Sequence, residues 1–328
     1  MLFMFEHKGG LVFKDLIIDP HRSPKQDKVI FTHAHSDHVK LNAKSNFFST
    51  PETRALIKNR FSKSDKHKFE EIPFGSKKQF NGCEVVLRPN GHILGSAQAE
   101  IISDGTTNAV TSDFRLKDSL FFKGAEPIKA DTLVVETTFG DPKYVFPNQD
   151  DVVSEMVSWI EASAKSGLVV LGGYSLGKAQ ELTYIANQAG FTPLVHEKIF
   201  ELNKIYNQFG TNVGKYEKLD HNLKDFSVLI MPPQLVDRHL MAVLDNFDKR
   251  KVFSAMATGW EFRGMFNKTF PLSNHADFND LVEYVKLSDP KLVLTDHGFC
   301  ESFARKLNRL GFNAKPLQQH NQRILGEY

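Results

Sequence analysis

Cysteine is nearly absent: Cys83 and Cys300 are the only two in 328 residues. Two thiols cannot build a disulfide framework or a four-cysteine zinc ribbon. This fits a reducing compartment and leaves histidine and carboxylates as the ligands for any metal. Long apolar runs are missing too, none approaching the roughly 18 residues of a membrane span. The opening M-L-F-M-F-E-H-K is too short and wrongly charged for a secretory signal, so a cytoplasmic protein without a membrane partner is expected. Excess charge is also lacking, at a net +2, so a nucleic-acid ligand would have to rely on a local basic surface. The candidate is 58–78, with seven Lys or Arg against three Asp or Glu, interleaved with Phe61 and Phe69. A solvated helix face and loop is its plainer reading. There is no internal repeat and no low-complexity segment.

What is present suits a folded enzyme of about two domains. The first half is dense in strands, expected at 11–19, 28–32, 82–87, 97–102, 108–112 and 130–136, with a helix at 52–61. Beyond the turn-rich 141–149 the pattern changes. Helices at 150–165, 176–189, 200–209 and 235–246 alternate with strands at 167–171, 193–196, 226–231 and 251–255, the signature of a small parallel α/β layer. A last strand, 291–295, lies between helices at 280–287 and 303–310.

The densest chemistry is T-H-A-H-S-D-H, Thr32 to His38, behind the apolar K-V-I-F. His33 and His35 are two apart, so on an extended segment both rings share a face and can bind one metal. Asp37 and His38 come where the chain turns away, so the motif can serve two adjacent ions. His92 in P-N-G-H and Asp113 in T-S-D follow strands, and a carboxylate can bridge ions roughly 3.5 to 4 Å apart.

With Asp19 in I-I-D-P, G-H-I-L-G-S-A and a later D-H-G, these segments resemble the five motifs of the metallo-β-lactamase fold. G-Y-S-L-G-K-A-Q-E-L, E-T-T-F-G and L-S-N-H-A-D-F resemble the added motifs of its β-CASP nuclease branch. The resemblance runs in order from about Gly10 to Leu310. It is nearest to short proteins described as DNA-ligase-associated exonucleases or as relatives of mRNA 3′-end processing factors. It implies an α/β fold, a four-layer αββα sandwich carrying an inserted α/β cap: a lactamase domain at 1–147 and 263–328, the cap at 148–262, and the active site in the cleft between them.

The resemblance further implies two Zn²⁺ per chain, one on His33, His35 and His92, the other on Asp37, His38 and His297. Asp113 would lie between the two ions and Asp19 would fix an imidazole or loop from behind. Asp37 belongs to the catalytic set with Glu136 and His275, the acid orienting a histidine that protonates the departing oxygen. In the cap, the glycine-rich turn before Ser175 and Lys178 opens a helix whose free N–H groups suit a phosphate. Trp260 and Arg263 could meet a base or backbone phosphate, although core packing explains Trp260 equally well. His7, His21, His67, His196, His221, His239 and His320 are read as surface or structural.

The function implied is phosphodiester hydrolysis in DNA or RNA, with 5′ exonuclease action in repair or RNA processing, and a DNA ligase or RNA-processing factors as possible partners. Three alternatives stand beside it. A small-molecule hydrolase of this fold would lack the cap and the His275 motif, a non-catalytic RNA-processing scaffold would lack ligands, and a pure nucleic-acid binder would not need this ligand set.

Overall fold

A computed structural model describes residues 5–61, 64–220, 223–248, 250–261 and 266–317. The chain begins with β1 (Phe5–His7), β2 (Leu11–Phe13), β3 (Leu16–Ile18), β4 (Lys28–Ile30), β5 (Asn46–Ser49), α1 (Pro51–Arg60), β6 (Lys68–Glu71), β7 (Lys77–Phe80), β8 (Cys83–Pro89), β9 (Ala97–Ser103), β10 (Thr106–Val110) and β11 (Thr132–Glu136). Next come α2 (Gln149–Ala164), β12 (Gly167–Gly172), α3 (Lys178–Gln188), β13 (Leu194–Val195), α4 (Glu197–Gln208), β14 (Glu217–Lys218), β15 (Val228–Met231), α5 (Arg238–Asp248), β16 (Lys251–Ala257) and β17 (Lys268–Phe270). Last are α6 (Phe278–Ser288), β18 (Leu292–Asp296), α7 (Cys300–Arg309) and β19 (Ala314–Pro316). No helix among the described residues is long and apolar enough to cross a membrane.

Two compact units result, Met1–Val145 with His275–Glu327, and Phe146–Asn274. In the first, one sheet runs β1-β2-β3-β4-β5-β6 and another β19-β18-β11-β10-β9-β8-β7. The two share a core: Phe13, Leu16, Ile18 and Ile30 from one meet Val85, Leu87, Ala99 and Val134 from the other. Each of these side chains other than Ala99 contributes roughly 1.5–3 kcal/mol of burial. On its other face the second sheet carries α6 and α7, through Leu281, Val285, Phe303 and Leu307 against Leu133, Val135 and Val293. Asp277 caps α6 by accepting from Asp280 N at 2.9 Å, an interaction of about 1 kcal/mol that starts the helix two residues after His275.

The second unit is a wholly parallel sheet, β14-β13-β15-β12-β16-β17, with α2 to α5. Its central strand, G-L-V-V-L-G, is buried throughout, as a parallel strand covered on both faces requires. Because β17 pairs with β16, this unit keeps the chain until Asn274 rather than handing it back near 263.

Two expectations are corrected. The stretch 11–19 is a hairpin, with Phe13 opposite Leu16, because Lys14 adopts a left-handed φ of 52° and closes a two-residue turn. The basic stretch 58–78 contains β6 and the start of β7. Three of its seven cations face acids: Lys58 meets Asp65 at 3.3 Å, Lys77 meets Glu84 at 2.8 Å and Lys78 pairs with Glu70.

Candidate metal centre

One edge of the first unit collects the chemistry because β3, β4, β8, β10, β11 and β18 all end there. β3 and β4 are parallel, as are β10, β11 and β18, while β8 and β10 both run antiparallel to β9. Beyond those ends stand Asp19, His33, His92, Asp113, Glu136 and His297. Three of the turns are strained: Asp19, Ser112 and His297 have φ of 46°, 50° and 60°. A left-handed non-glycine residue costs on the order of 1–3 kcal/mol and persists where surrounding contacts hold it, as at functional sites. Glycine serves where the approach is closest. A Cβ on Gly298 would lie 2.5 Å from Thr137 O, and one on Gly91, beside His92, 2.8 Å from Lys123 O.

His33, His35, His92 and Asp113 offer ligand atoms that all lie within 4.8 Å of one another. Asp113 Oδ2 is 3.5 Å from His33 Nε2 and 3.8 Å from His92 Nε2, and His92 Nε2 is 3.2 Å from His35 Nδ1. A tetrahedral zinc with arms of ~2.0–2.2 Å has ligand atoms about 3.4 Å apart, so the donor set fits such an ion. His33 Nε2 is buried without a hydrogen-bond partner, a state costing about 1–3 kcal/mol that a metal would relieve. Burial, with His33 nearby, pulls the His35 pKa down to about 3, and burial beside His275 takes His92 well below its usual 6.5. Both are therefore neutral at pH 7, the form a metal requires.

A second group forms around His38. Its Nε2 is 3.5 Å from the same Asp113 oxygen and 3.7 Å from Asp37 Oδ2, and is likewise buried without a hydrogen-bond partner. The His38 and His297 rings stand 5.5 Å apart. This set is looser: Asp37 and His297 are exposed, and the other tight donor groups among the described residues are Asp19, His33, His38 and Asp113, Glu136, His275. Burial alone would lower the His38 pKa, but Asp113 and Asp19 carry it up to about 10. Asp296 raises His297 to about 9. Asp19 stands 3.1 Å from His38 Nδ1, and its two oxygens also accept from Thr32 N, Thr32 Oγ1 and Ser112 Oγ. It therefore ties the ends of β3, β4 and β10 together.

Glu136 and His275 form the adjoining pair. Glu136 accepts from Phe114 N and Thr138 N and lies 3.0 Å from His275 Nδ1. Backbone donors thus hold the carboxylate while it holds the imidazole, whose ring stands 4.6 Å from that of His92. Burial would lower the His275 pKa, but the charges of Glu136 and Asp113 and the hydrogen bond to Glu136 raise it above its usual value.

The second unit's candidates fare differently. Lys178 is buried at 4% exposure with its ammonium 2.5 Å from Glu181 Oε2, so the expected phosphate contact is corrected to an internal ion pair. Ser175 is half-buried, and the start of α3 is closed by Gln180, which accepts from Gly177 N at 2.7 Å. Trp260 is half-buried. Arg263 lies outside the described residues.

Sequence reading missed Asn90, which donates to Thr111 O and Asp113 O and accepts from Ser96 Oγ. It pins the His92 turn to the Asp113 turn. The N-G pair before His92 was its only signal, and that signal announces a turn, not a clamp.

No family model matches the chain. It is 34% identical over 323 residues to a probable DNA ligase of Opitutus terrae, covering 94% of this chain and 30% of that protein. A DNA cross-link repair 1A protein of Homo sapiens is 30% identical over 304 residues, covering 80% of this chain and 27% of its own. A cleavage and polyadenylation specificity factor subunit 3 of Dictyostelium discoideum is 28% identical over 200 residues, covering 50% and 25%. The chain thus spans less than a third of each of these relatives. A crystal structure of a protein of unknown function from Enterococcus faecalis V583 aligns with a TM-score of 0.62 at 15% identity, over 93% of this chain and 83% of that one. Fold and site define an α/β protein whose buried histidine and aspartate groups could hold metal ions. The chain belongs to the β-CASP branch of the metallo-β-lactamase superfamily.

Proposed function

We propose that the chain is a zinc-dependent nuclease that hydrolyses phosphodiester bonds, acts from a 5′ end, and takes DNA before RNA. In this reading the first unit is the αββα lactamase sandwich and the second its β-CASP cap. The observation that carries it is the position of one oxygen, Asp113 Oδ2, at 3.5 Å from both His33 Nε2 and His38 Nε2. Asp113 can thereby serve two donor sets at once: His33, His35 and His92 would hold one ion, Asp37, His38 and His297 the other. When bound, the ions supply Lewis acidity at the phosphate and a water acidified toward neutral pH. Asp19 keeps His38 Nε2 turned inward, and Glu136 fixes His275 with a proton to give to the departing oxygen. A small-molecule hydrolase needs no such second pair beside its donors.

The preference for DNA rests on coverage, since the relatives named for DNA match 94% and 80% of the chain and the RNA-processing one 50%. A DNA ligase is accordingly the expected partner activity, in the cytoplasm. Of the cap contacts, Ser175 is kept and Lys178 is not.

The test is to give the zinc-loaded protein matched single- and double-stranded DNA and RNA, with 5′-phosphate or 5′-hydroxyl ends, and to map the products. Successive release from 5′ ends of DNA is expected. Cleavage of no polymer, together with turnover of thioesters or lactones, would replace this reading with the small-molecule one.

A further inference from the structure

Asp296 closes β18 immediately before His297 and is assigned nothing by the reaction above. It is 9% exposed, and its Oδ2 lies 3.2 Å from His297 Nδ1. On the other histidine of the same set, Asp19 Oδ2 lies 3.1 Å from His38 Nδ1. Both histidines therefore have a carboxylate, half-buried Asp19 and buried Asp296, within 3.2 Å of the same ring nitrogen, which favours a proton on that nitrogen and leaves Nε2 to ligate. Among the first set, the Nδ1 of His33 meets a hydroxyl, Thr32 Oγ1, at 3.1 Å, and the Nδ1 of His35 faces His92.

The two aspartates also border one space. A cavity of about 30 Å³ is lined by Asp19, His38, Asp296 and His297, with His7 and His21 on its wall. The His7 and His21 rings stack at 4.8 Å and 20°, and His7 is near enough to Asp296 for each to influence the other's ionisation. His297 itself is left-handed and 40% exposed, so its ring needs a partner to keep one orientation.

We propose that Asp296 is a positioning residue that holds His297 in its ligating tautomer for the second ion, as Asp19 does for His38, with the His7–His21 stack closing the space behind both. The proposal rests on the two-ion reading. Asp296 is not itself a ligand here, because its carboxylate oxygen is directed at the imidazole.

Zinc is titrated into the metal-free wild type, Asp296→Asn and Asp296→Ala against a chromophoric chelator, and thermal unfolding of each metal-free protein is recorded. The wild type should take two ions. Asp296→Ala should weaken one of them about 10- to 100-fold and leave the other unchanged. Asp296→Asn, whose amide oxygen can still accept from Nδ1–H, should recover much of that loss. Wild-type affinity for both ions in both variants overturns the proposal and spares the two-ion reading, whereas a wild type that takes a single ion overturns both. Equal weakening of both ions with a lowered melting temperature assigns Asp296 to the scaffold and also overturns it. Should a variant fail to fold, the ¹⁵N spectrum of the zinc-loaded wild type decides: the proton of His297 must sit on Nδ1, and a proton on Nε2 sinks the idea.

Discussion

The two candidate donor sets that meet at Asp113 differ in how they would receive a metal. His33, His35 and His92 are packed edge to face at 4.9 to 5.1 Å, and burial keeps His35 and His92 neutral at pH 7. His38 and His297 are backed by aspartates and are protonated at that pH. One set is ready to receive a cation, and the other must first give up protons. Fold geometry alone does not create this difference, since both sets hang from the same strand ends. Their neighbours do.

The variant that removes the comparison altogether is Asp113→Ala. With the common oxygen gone, both ions should be lost and turnover should fall by ~10⁴ or more. Elemental analysis reads the metal directly, and retention of two tightly held ions would show that the sets do not meet at Asp113. His297→Ala should separate the sets, losing one ion and nearly all activity while the His33 group keeps its own.

A smaller loss is expected beside the sets than within them. His275→Ala should keep both ions and lose about 10²- to 10⁴-fold in rate, with Glu136→Gln following it. A p-nitrophenyl phosphodiester, whose leaving group needs no proton, should escape much of that loss. A missing ion in His275→Ala would instead make His275 a ligand, as its closeness to Asp113 and Glu136 allows.

The smallest effect is a proton count. Folded-state pKa values near 10 for His38 and 9 for His297 lie above the ordinary 6.5. Their protons therefore stabilise the metal-free chain fully below about pH 6.5, and that contribution is lost as the pH rises through 9 and 10. Loading must displace them, so the second ion should bind more tightly as the pH increases and should release protons at pH 7. The His35 and His92 side should release almost none. Calorimetry in buffers of different ionisation enthalpy measures both, and equal proton release by the two ions would erase the distinction.

Much of this centre was legible because its residue types are rare and its spacing simple. Two histidines two apart after an apolar run, and Asp113 and His92 after other runs, already predicted strand ends. What brings them to one edge is the shared direction of β8, β10, β11 and β18, which no local pattern encodes. The alternating helices and strands of the second unit were legible for a similar reason, as continuous apolar runs. Short strands such as β5, β6 and β19 were not, because three or four residues carry too little period. Lys178 is instructive: Glu181 lies one helical turn away, and the choice between a phosphate and that i,i+3 partner depends on burial, which the packing of α3 decides. Asp296, the first residue of D-H-G, carries no such signal, since adjacency along a chain does not say which way a carboxylate turns.

The chain order of these ligands also sets an order in time. His33, His35, His92 and Asp113 are all synthesised before the 146–274 unit and can emerge from the ribosome while it is being made, but His297 follows that entire unit. The first set's residues can therefore be exposed together while synthesis continues, whereas the unit that holds them is completed only by the segment from His275 onward. The second stays incomplete until β18 arrives to pair with β11, so a nascent chain stalled inside the insertion would hold one ion's ligands in full and the other's only in part.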